Sequence, residues 1–255
     1  MSHHLVSFDE VFYSYPDGQP ALRGVSFTIR HGQSVGLVGA NGAGKSTLLL
    51  HLPGVILADR GQVRVGDIPV TRATLAQVRR SVGLVFQDPD DQLFMPTVGE
   101  DIAFGPANLG LPPEDVEARV VEALDRVGAA HLRERPPYRL SGGERRVAAI
   151  AAVLSMSPDV LILDEPSANL DPLARRRLIK LLRSFEHTKI VATHDLELVL
   201  DVCQRTLVLL EGRVLADGPT EAILSDDLLL ERARLERPLR LQACPVCGRA
   251  PGVTE

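Results

Sequence analysis

The run Gly39-Ala40-Asn41-Gly42-Ala43-Gly44-Lys45-Ser46-Thr47 decides how this chain is read. It fits the spacing G-x-x-x-x-G-K-[ST], in which glycines let the backbone curl so that successive N–H groups point inward at phosphate oxygens. An apolar strand pattern, Val35-Gly36-Leu37-Val38, precedes it and a helical pattern, Leu48-Leu49-Leu50, follows. A helix starting near Lys45 adds the positive end of its dipole. In that setting Lys45 reaches β- and γ-phosphates and Ser46 offers a hydroxyl to Mg²⁺. The stretch predicts a nucleotide site on an α/β scaffold.

Two further segments bear on the same site. Val160-Leu161-Ile162-Leu163 reads as a buried strand running into Asp164-Glu165-Pro166. Ligands of an open parallel sheet sit at the carboxyl ends of its strands, so both acids are expected to face the phosphates. Asp164 is placed to bind Mg²⁺ directly or through water, and Glu165 to polarise an attacking water as general base. Leu140-Ser141-Gly142-Gly143-Glu144 then opens a helical pattern that runs to Met156. Ser141 is a good N-cap, and the two glycines leave N–H groups uncovered at the positive helix end. That is a second anion site in one short chain.

Further out, Val6 to Tyr13 and Val25 to Ile29 alternate as half-exposed antiparallel strands around the turn Pro16-Asp17-Gly18. Strands are also expected at Ser34 to Val38, Gln62 to Val65, Val82 to Phe86, Ile190 to Thr193 and Thr206 to Leu210. Helical patterns at Pro172 to Phe185 and Leu196 to Cys203 alternate with the last strands, which implies a parallel sheet covered on both faces. From Val98 to Met156 the spacing is helical throughout, with Pro112-Pro113-Glu114-Asp115 opening a helix to Val127. Residues 1–225 are therefore read as one domain with a helical lobe, about 88–157, inserted. Residues 226–255 are read as a C-terminal helix and a Cys-containing tail.

Composition narrows the classes. The chain has 255 residues, 45% hydrophobic and 24% charged, which excludes an intrinsically disordered chain. Net charge is −5, so nothing global favours nucleic acid or anionic lipid. The longest stretch free of Asp, Glu, Lys and Arg runs from His31 to Gly44, short of the roughly 20 residues a spanning helix needs. Met1-Ser2-His3-His4 has no secretory pattern, and three cysteines do not make a disulfide framework. A cytosolic location is expected.

In combination these motifs resemble the ATP-binding cassette (ABC) ATPase family over roughly Leu5 to Leu224. The resemblance implies a P-loop NTPase lobe of α/β class, a mostly helical inserted subdomain and a small antiparallel β subdomain. It implies a head-to-tail dimer, with ATP between one chain's phosphate loop (Gly39, Asn41, Gly42, Gly44, Lys45, Ser46, Thr47) and the other's signature (Ser141, Gly142, Gly143). Carried over residue by residue, Tyr15 matches the aromatic that stacks on adenine and Gln87 the glutamine that senses Mg²⁺ and water. Asp171 matches the loop that communicates across the dimer, and His194 the histidine at the γ-phosphate. Metal contacts fall to Ser46, Gln87 and Asp164. Two departures stand out. Glu144 replaces the usual glutamine, a carboxylate that needs to turn away or pair with a neighbour such as Arg145 or Arg146. Val147 stands where the family often has arginine.

The segment Phe86-Gln87-Asp88-Pro89-Asp90-Asp91-Gln92-Leu93-Phe94 looks like that of energy-coupling-factor importers, especially their cobalt and nickel group. Leu93, Phe94 and Met95 are the expected apolar contact with a membrane subunit, and Asp90-Asp91 a solvated turn. The resemblance implies a MgATP hydrolase energising import of cobalt or nickel ions, peripheral on the cytoplasmic face of the cell membrane. Its implied partners are a transmembrane coupling component, a substrate-binding component and a second ATPase, identical or a sister chain, with no nucleic acid. The alternative is a soluble ABC ATPase of an assembly machine, such as iron–sulfur cluster biogenesis. Arg175-Arg176-Arg177 is read as a solvated helix face. Cys244-Pro245-Val246-Cys247 has the spacing of half a zinc ribbon but is read as a disordered, functionally minor end, with a four-cysteine site from two tails of a dimer as the alternative.

Overall fold

The computed structural model describes residues 6–242. The Cys244/Cys247 pair lies outside them. The chain runs β1 (Val6–Ser14), β2 (Pro20–Ile29), β3 (Ser34–Val38), α1 (Lys45–His51), β4 (Arg60–Val65), β5 (Ile68–Pro69), α2 (Leu75–Ser81) and β6 (Val82–Val85). The inserted lobe carries α3 (Val98–Asn108), α4 (Pro113–Val127) and α5 (Gly142–Leu154). Then come β7 (Val160–Asp164), α6 (Pro172–Ser184), β8 (Thr188–Ala192), α7 (Leu196–Val202), β9 (Arg205–Leu210) and β10 (Arg213–Pro219). Two short helices, α8 (Thr220–Ser225) and α9 (Asp227–Arg232), follow.

The larger sheet has strand order β10-β9-β3-β8-β7-β6, parallel except for its antiparallel edge strand β10. Every residue of β3, β7 and β8 is buried. Alternation sorts their side chains to two cores: Val160 and Ile162 pack with α1 and the β subdomain, Leu161 and Leu163 with the helical lobe. The smaller sheet, β2-β1-β4-β5, is antiparallel throughout and closes over α1. The turn between β1 and β2 forms at the expected place, with Gly18 N–H donating to the Tyr15 carbonyl at 2.8 Å.

The inserted lobe is less continuous than its periodicity. Pro112 and Gly128 bound α4, and two 3-10 turns, Ala130–Leu132 and Pro137–Arg139, separate it from α5. Prolines at 136 and 137 deny the backbone donors a helix needs there. The helix expected after Ser225 is α9, six residues long, with Asp226 capping it through the Leu229 N–H; a separate short helix, α8, ends at Ser225 just before it. Residues up to Gln242 are docked: Leu230 and Ala233 are buried, and Arg240 pairs with Glu197 and Asp201 on α7. Arg175 corrects the reading of a solvated face. Arg176 and Arg177 are exposed, but Arg175 is half-buried and donates to Asp195, the N-cap of α7.

Candidate nucleotide site

The phosphate loop leaves β3, Asp164-Glu165 ends β7, and Thr193-His194 follows β8, so all three meet at the carboxyl edge of adjacent strands. The loop's path requires glycine at two places. Gly39 has φ 153°, and a Cβ there would sit 2.3 Å from the Leu209 carbonyl oxygen. Gly44 caps α1 with φ 104°, and a Cβ would come within 2.8 Å of the Ala21 carbonyl oxygen.

A cleft of about 510 Å³ opens over this loop. Tyr15, Asn41, Gly42, Gly44, Lys45, Ser46, Thr47, Gln87, Asp164 and Glu165, ten of the expected site residues, line it together. Lys45 is buried and its ammonium donates to the carbonyls of Gly39 at 2.7 Å and Ala40 at 3.2 Å. Burial holds its pKa below the usual lysine range, against the pull of Glu165 and Asp164. Tyr15 anchors its hydroxyl on Thr47 Oγ1 at 2.7 Å, leaving the ring at the mouth of the cleft.

Burial raises the pKa of Asp164, while a hydrogen bond from Ser46 opposes the rise. Glu165 has φ 47°, a left-handed backbone rarely adopted outside glycine, and its N–H donates to the Ala192 carbonyl at 2.8 Å. Its Oε2 accepts from Thr193 Oγ1 at 2.8 Å and from His194 Nδ1 at 2.9 Å. Its Oε1 accepts from the His194 backbone N–H at 3.1 Å. A carboxylate so held beside a phosphate pocket can take a proton without first being ordered.

Ser141, Gly142, Gly143 and Asp171 are not in this cleft. Ser141, Gly143 and Asp171 line a separate cavity of about 170 Å³ between the helical lobe and α6. The Asp171 carboxylate caps α6, accepting from the N–H groups of Leu173 and Ala174 at 2.8 Å. Ser141 caps α5 in a capping box with Glu144. Glu144 pairs with neither Arg145 nor Arg146. It accepts from the Ser141 N–H at 2.8 Å and from Arg135 at 3.0 Å, and these contacts hold its carboxyl below the usual range. Arg145 reaches Asp90 at 3.2 Å, so that acid is an ion-pair partner as well as a turn residue.

Leu93 is buried in the core of the lobe and offers nothing to a partner. Phe94 stands 62% exposed instead, its ring edge-on to the exposed Phe104 at 4.9 Å. Met95 is half-buried. Phe104 escaped the sequence reading because it lies on α3, ten residues from Phe94, and only the helix packing brings the rings together. Arg146 was expected only as a partner for Glu144, and Arg135 was not expected to contribute at all; sequence spacing carries no signal of what either touches.

Residues 22–168 match the ABC transporter family, and the chain belongs to it. An ABC transporter ATP-binding protein of Geobacter sulfurreducens is 65% identical over 98% of this chain and all of that protein, with no cargo in its name. The energy-coupling factor transporter ATP-binding protein EcfA of Methanocaldococcus jannaschii is 43% identical, covering 92% of this chain and 86% of that one. Among solved structures, CbiO1 of Clostridium perfringens, described as part of the transporter complex CbiONQ, superposes with a TM-score of 0.78 at 37% identity. It covers 90% of this chain and 94% of that one. The chain is thus an ATP-hydrolysing ABC cassette, the ATP-binding subunit of a transporter of the energy-coupling-factor type. Among the described residues no helix is long and apolar enough to cross a membrane.

Proposed function

We propose that this chain is the MgATP hydrolase of an energy-coupling-factor importer for cobalt or nickel ions. It would bind peripherally to the cytoplasmic face of the cell membrane, beneath a transmembrane coupling component and a substrate-binding component. The cargo rests on the resemblance of residues 86–94 to the cobalt and nickel group and on the likeness to CbiO1.

One observation carries the two-copy reading. A Cβ at Gly142 or Gly143 would meet nothing closer than 3.6 Å within the chain, yet both stand in the first turn of a helix, where glycine is costly. Nothing inside the protomer asks for glycine there. A ligand lying against the N–H groups from outside does, and this chain's own phosphate loop opens into a different cavity. The signature of one copy therefore faces the ATP held by another. Because one chain carries both half-sites, a homodimer is sufficient; a sister ATPase in the second place is the alternative.

In this reading the Tyr15 ring takes the adenine and Lys45 exchanges the Gly39 and Ala40 carbonyls for phosphate oxygens. The oxygen donors Ser46, Asp164 and Gln87 suit Mg²⁺, which keeps few protein ligands beside nucleotide phosphates. Asp164, desolvated and partnered by one hydroxyl, is a carboxylate that gains from a nearby cation. Bound there, Mg²⁺ supplies charge neutralisation of the phosphate oxygens. Glu165 Oε1, which has only the His194 N–H, accepts the proton of the attacking water as its oxygen bonds to the γ-phosphorus and the β–γ bridge breaks. The exposed Phe94–Phe104 pair is the contact offered to the coupling component.

Co-expression with candidate membrane subunits, pull-down in detergent and uptake of radiolabelled Co²⁺ test this. Association and ATP-dependent uptake are expected. A chain that hydrolyses ATP but binds no membrane protein would instead favour the soluble assembly machine.

A further inference from the structure

The link between the signature and the glutamine segment is a buried arginine. Arg146 is 2% exposed, the largest side chain in the fully buried set. Its guanidinium donates to the Phe86 carbonyl at 2.7 Å and to the Gln87 carbonyl, and its Nε has no partner. Among the described residues no carboxylate makes an ion pair with it. Burying an unpaired guanidinium is unfavourable when an apolar side chain of similar volume can fill the space. The return for that burial is two charge-assisted hydrogen bonds, both to adjacent carbonyls of one loop. Two neighbouring contacts act in the same direction: Arg145 pairs with Asp90 at 3.2 Å, and Gln92 Nε2 donates to the Ala149 carbonyl at 2.7 Å. Gln92 Oε1 also accepts from the Phe86 N–H at 3.3 Å. Residues 86–92 are thus fastened at three points to α5, the helix whose first turn is the signature, while β6 ends at Val85.

We propose that Arg146 is a positioning residue that makes the Gln87 segment move with the signature helix. Engagement of Ser141, Gly142 and Gly143 by the ATP of a second copy then sets Gln87 in the chain's own ATP site. The inference rests on the two-copy reading above. It makes the two sites of a dimer interdependent through one chain's interior, without any contact between the two nucleotides.

The test compares full-length Arg146→Met and Arg146→Lys with wild type. Affinity for a fluorescent ATP analogue is expected to stay within about twofold, because Arg146 makes no hydrogen bond to the Lys45 loop; it lines the adjoining cavity beside Ser46, Gln87 and Asp164 and holds Gln87 through its backbone carbonyl. The kcat of Arg146→Met should fall about tenfold at little-changed KM, and sigmoidal dependence on ATP should flatten. Arg146→Lys should recover most of kcat, since one ammonium can donate to both carbonyls. Wild-type kcat in Arg146→Met, or no recovery by Arg146→Lys when both variants melt like wild type, overturns the proposal. If Arg146→Met does not fold, Gln92→Ala must show the same kcat loss at unchanged affinity, and wild-type kcat there overturns it equally. The two-copy reading is checked separately by MgATP-driven dimerisation of Glu165→Gln with Arg146 intact. Failure of that control removes the reading and this inference with it.

Discussion

His194 and Glu165 are bound to each other: the ring Nδ1 donates to the carboxylate Oε2 at 2.9 Å, and the His194 backbone N–H reaches the same carboxyl group. The histidine side chain is 73% exposed and its partner 10%, so a nearly buried carboxylate carries a solvent-facing partner. The pair spans the ends of β7 and β8 and fixes one of the two carboxylates, with Asp164, that face both Lys45 and the cleft. Replacing Glu165 by Gln keeps the acceptor for Thr193 and removes the base. ATP binding is expected to survive, with hydrolysis reduced about 100-fold or more. Phosphate release under saturating MgATP measures it, and near-wild-type turnover would remove Glu165 from its role.

Lys45→Ala acts at an earlier stage. Among the described residues lining the cleft the variant loses the only ammonium, and charge-assisted bonds to phosphate of this kind are each worth about 1.5–3 kcal/mol. Nucleotide affinity should weaken about tenfold or more by fluorescence titration. An unchanged affinity would show that backbone N–H groups suffice.

Glu144 tests whether a carboxylate in the signature opposes closure. Its charge is already met by Arg135 and by the Ser141 N–H, and Gln at the position preserves the cap. In a Glu165→Gln background, Glu144→Gln is therefore expected to change the MgATP concentration for half-dimerisation by less than about threefold. A shift of tenfold would mean that Arg135 leaves the charge effectively exposed to nucleotide.

Phe94→Ser separates hydrolysis from coupling. Phe94 is 62% exposed, so stability should change by no more than about 0.5 kcal/mol. The isolated chain should keep its ATPase rate while capture of the membrane coupling component falls. Full capture would place the contact elsewhere on the lobe.

His51 predicts a pH effect on stability. It is buried in α1, its Nδ1 donates to the Thr47 carbonyl at 2.8 Å, and its Nε2 has no partner. Burial holds its pKa below the ordinary 6.5, outweighing the Thr47 bond and Asp59, which favour the cation. The unfolded chain takes up a proton as pH drops past about 6.5 while the folded one resists. Stability from this group is therefore full above that pH and is lost as pH falls toward the lowered value, by at most about 1.4 kcal/mol per pH unit. His51→Gln should flatten the fall in melting temperature between pH 7.5 and 5.5. An identical fall in both proteins would exclude His51 as its source.

Much of the site was legible because phosphate binding depends on backbone geometry. Glycines at 39, 42 and 44 and a lysine at 45 constrain the loop wherever it occurs, and a strand ending in Asp164-Glu165 can deliver its acids only to one edge of the sheet. Local spacing carried that information. The partners of Glu144 did not follow from spacing, because Arg135 reaches it from the far side of a 3-10 turn whose course depends on Pro136 and Pro137. Leu93 and Phe94 are neighbours in sequence, and which one is buried depends on how α3 and α5 pack.

The linear order of residues therefore determined the class of fold, the phosphate loop and the acids that serve it, since each is written in contiguous residues with fixed backbone demands. The tertiary structure decided what arginines 135, 146 and 175 hold, which aromatic rings face outward, and that the phosphate loop lines one cavity while Ser141 and Gly143 line another. Those relationships join segments far apart in the chain, and only packing of the inserted lobe on the sheet sets the distances between them.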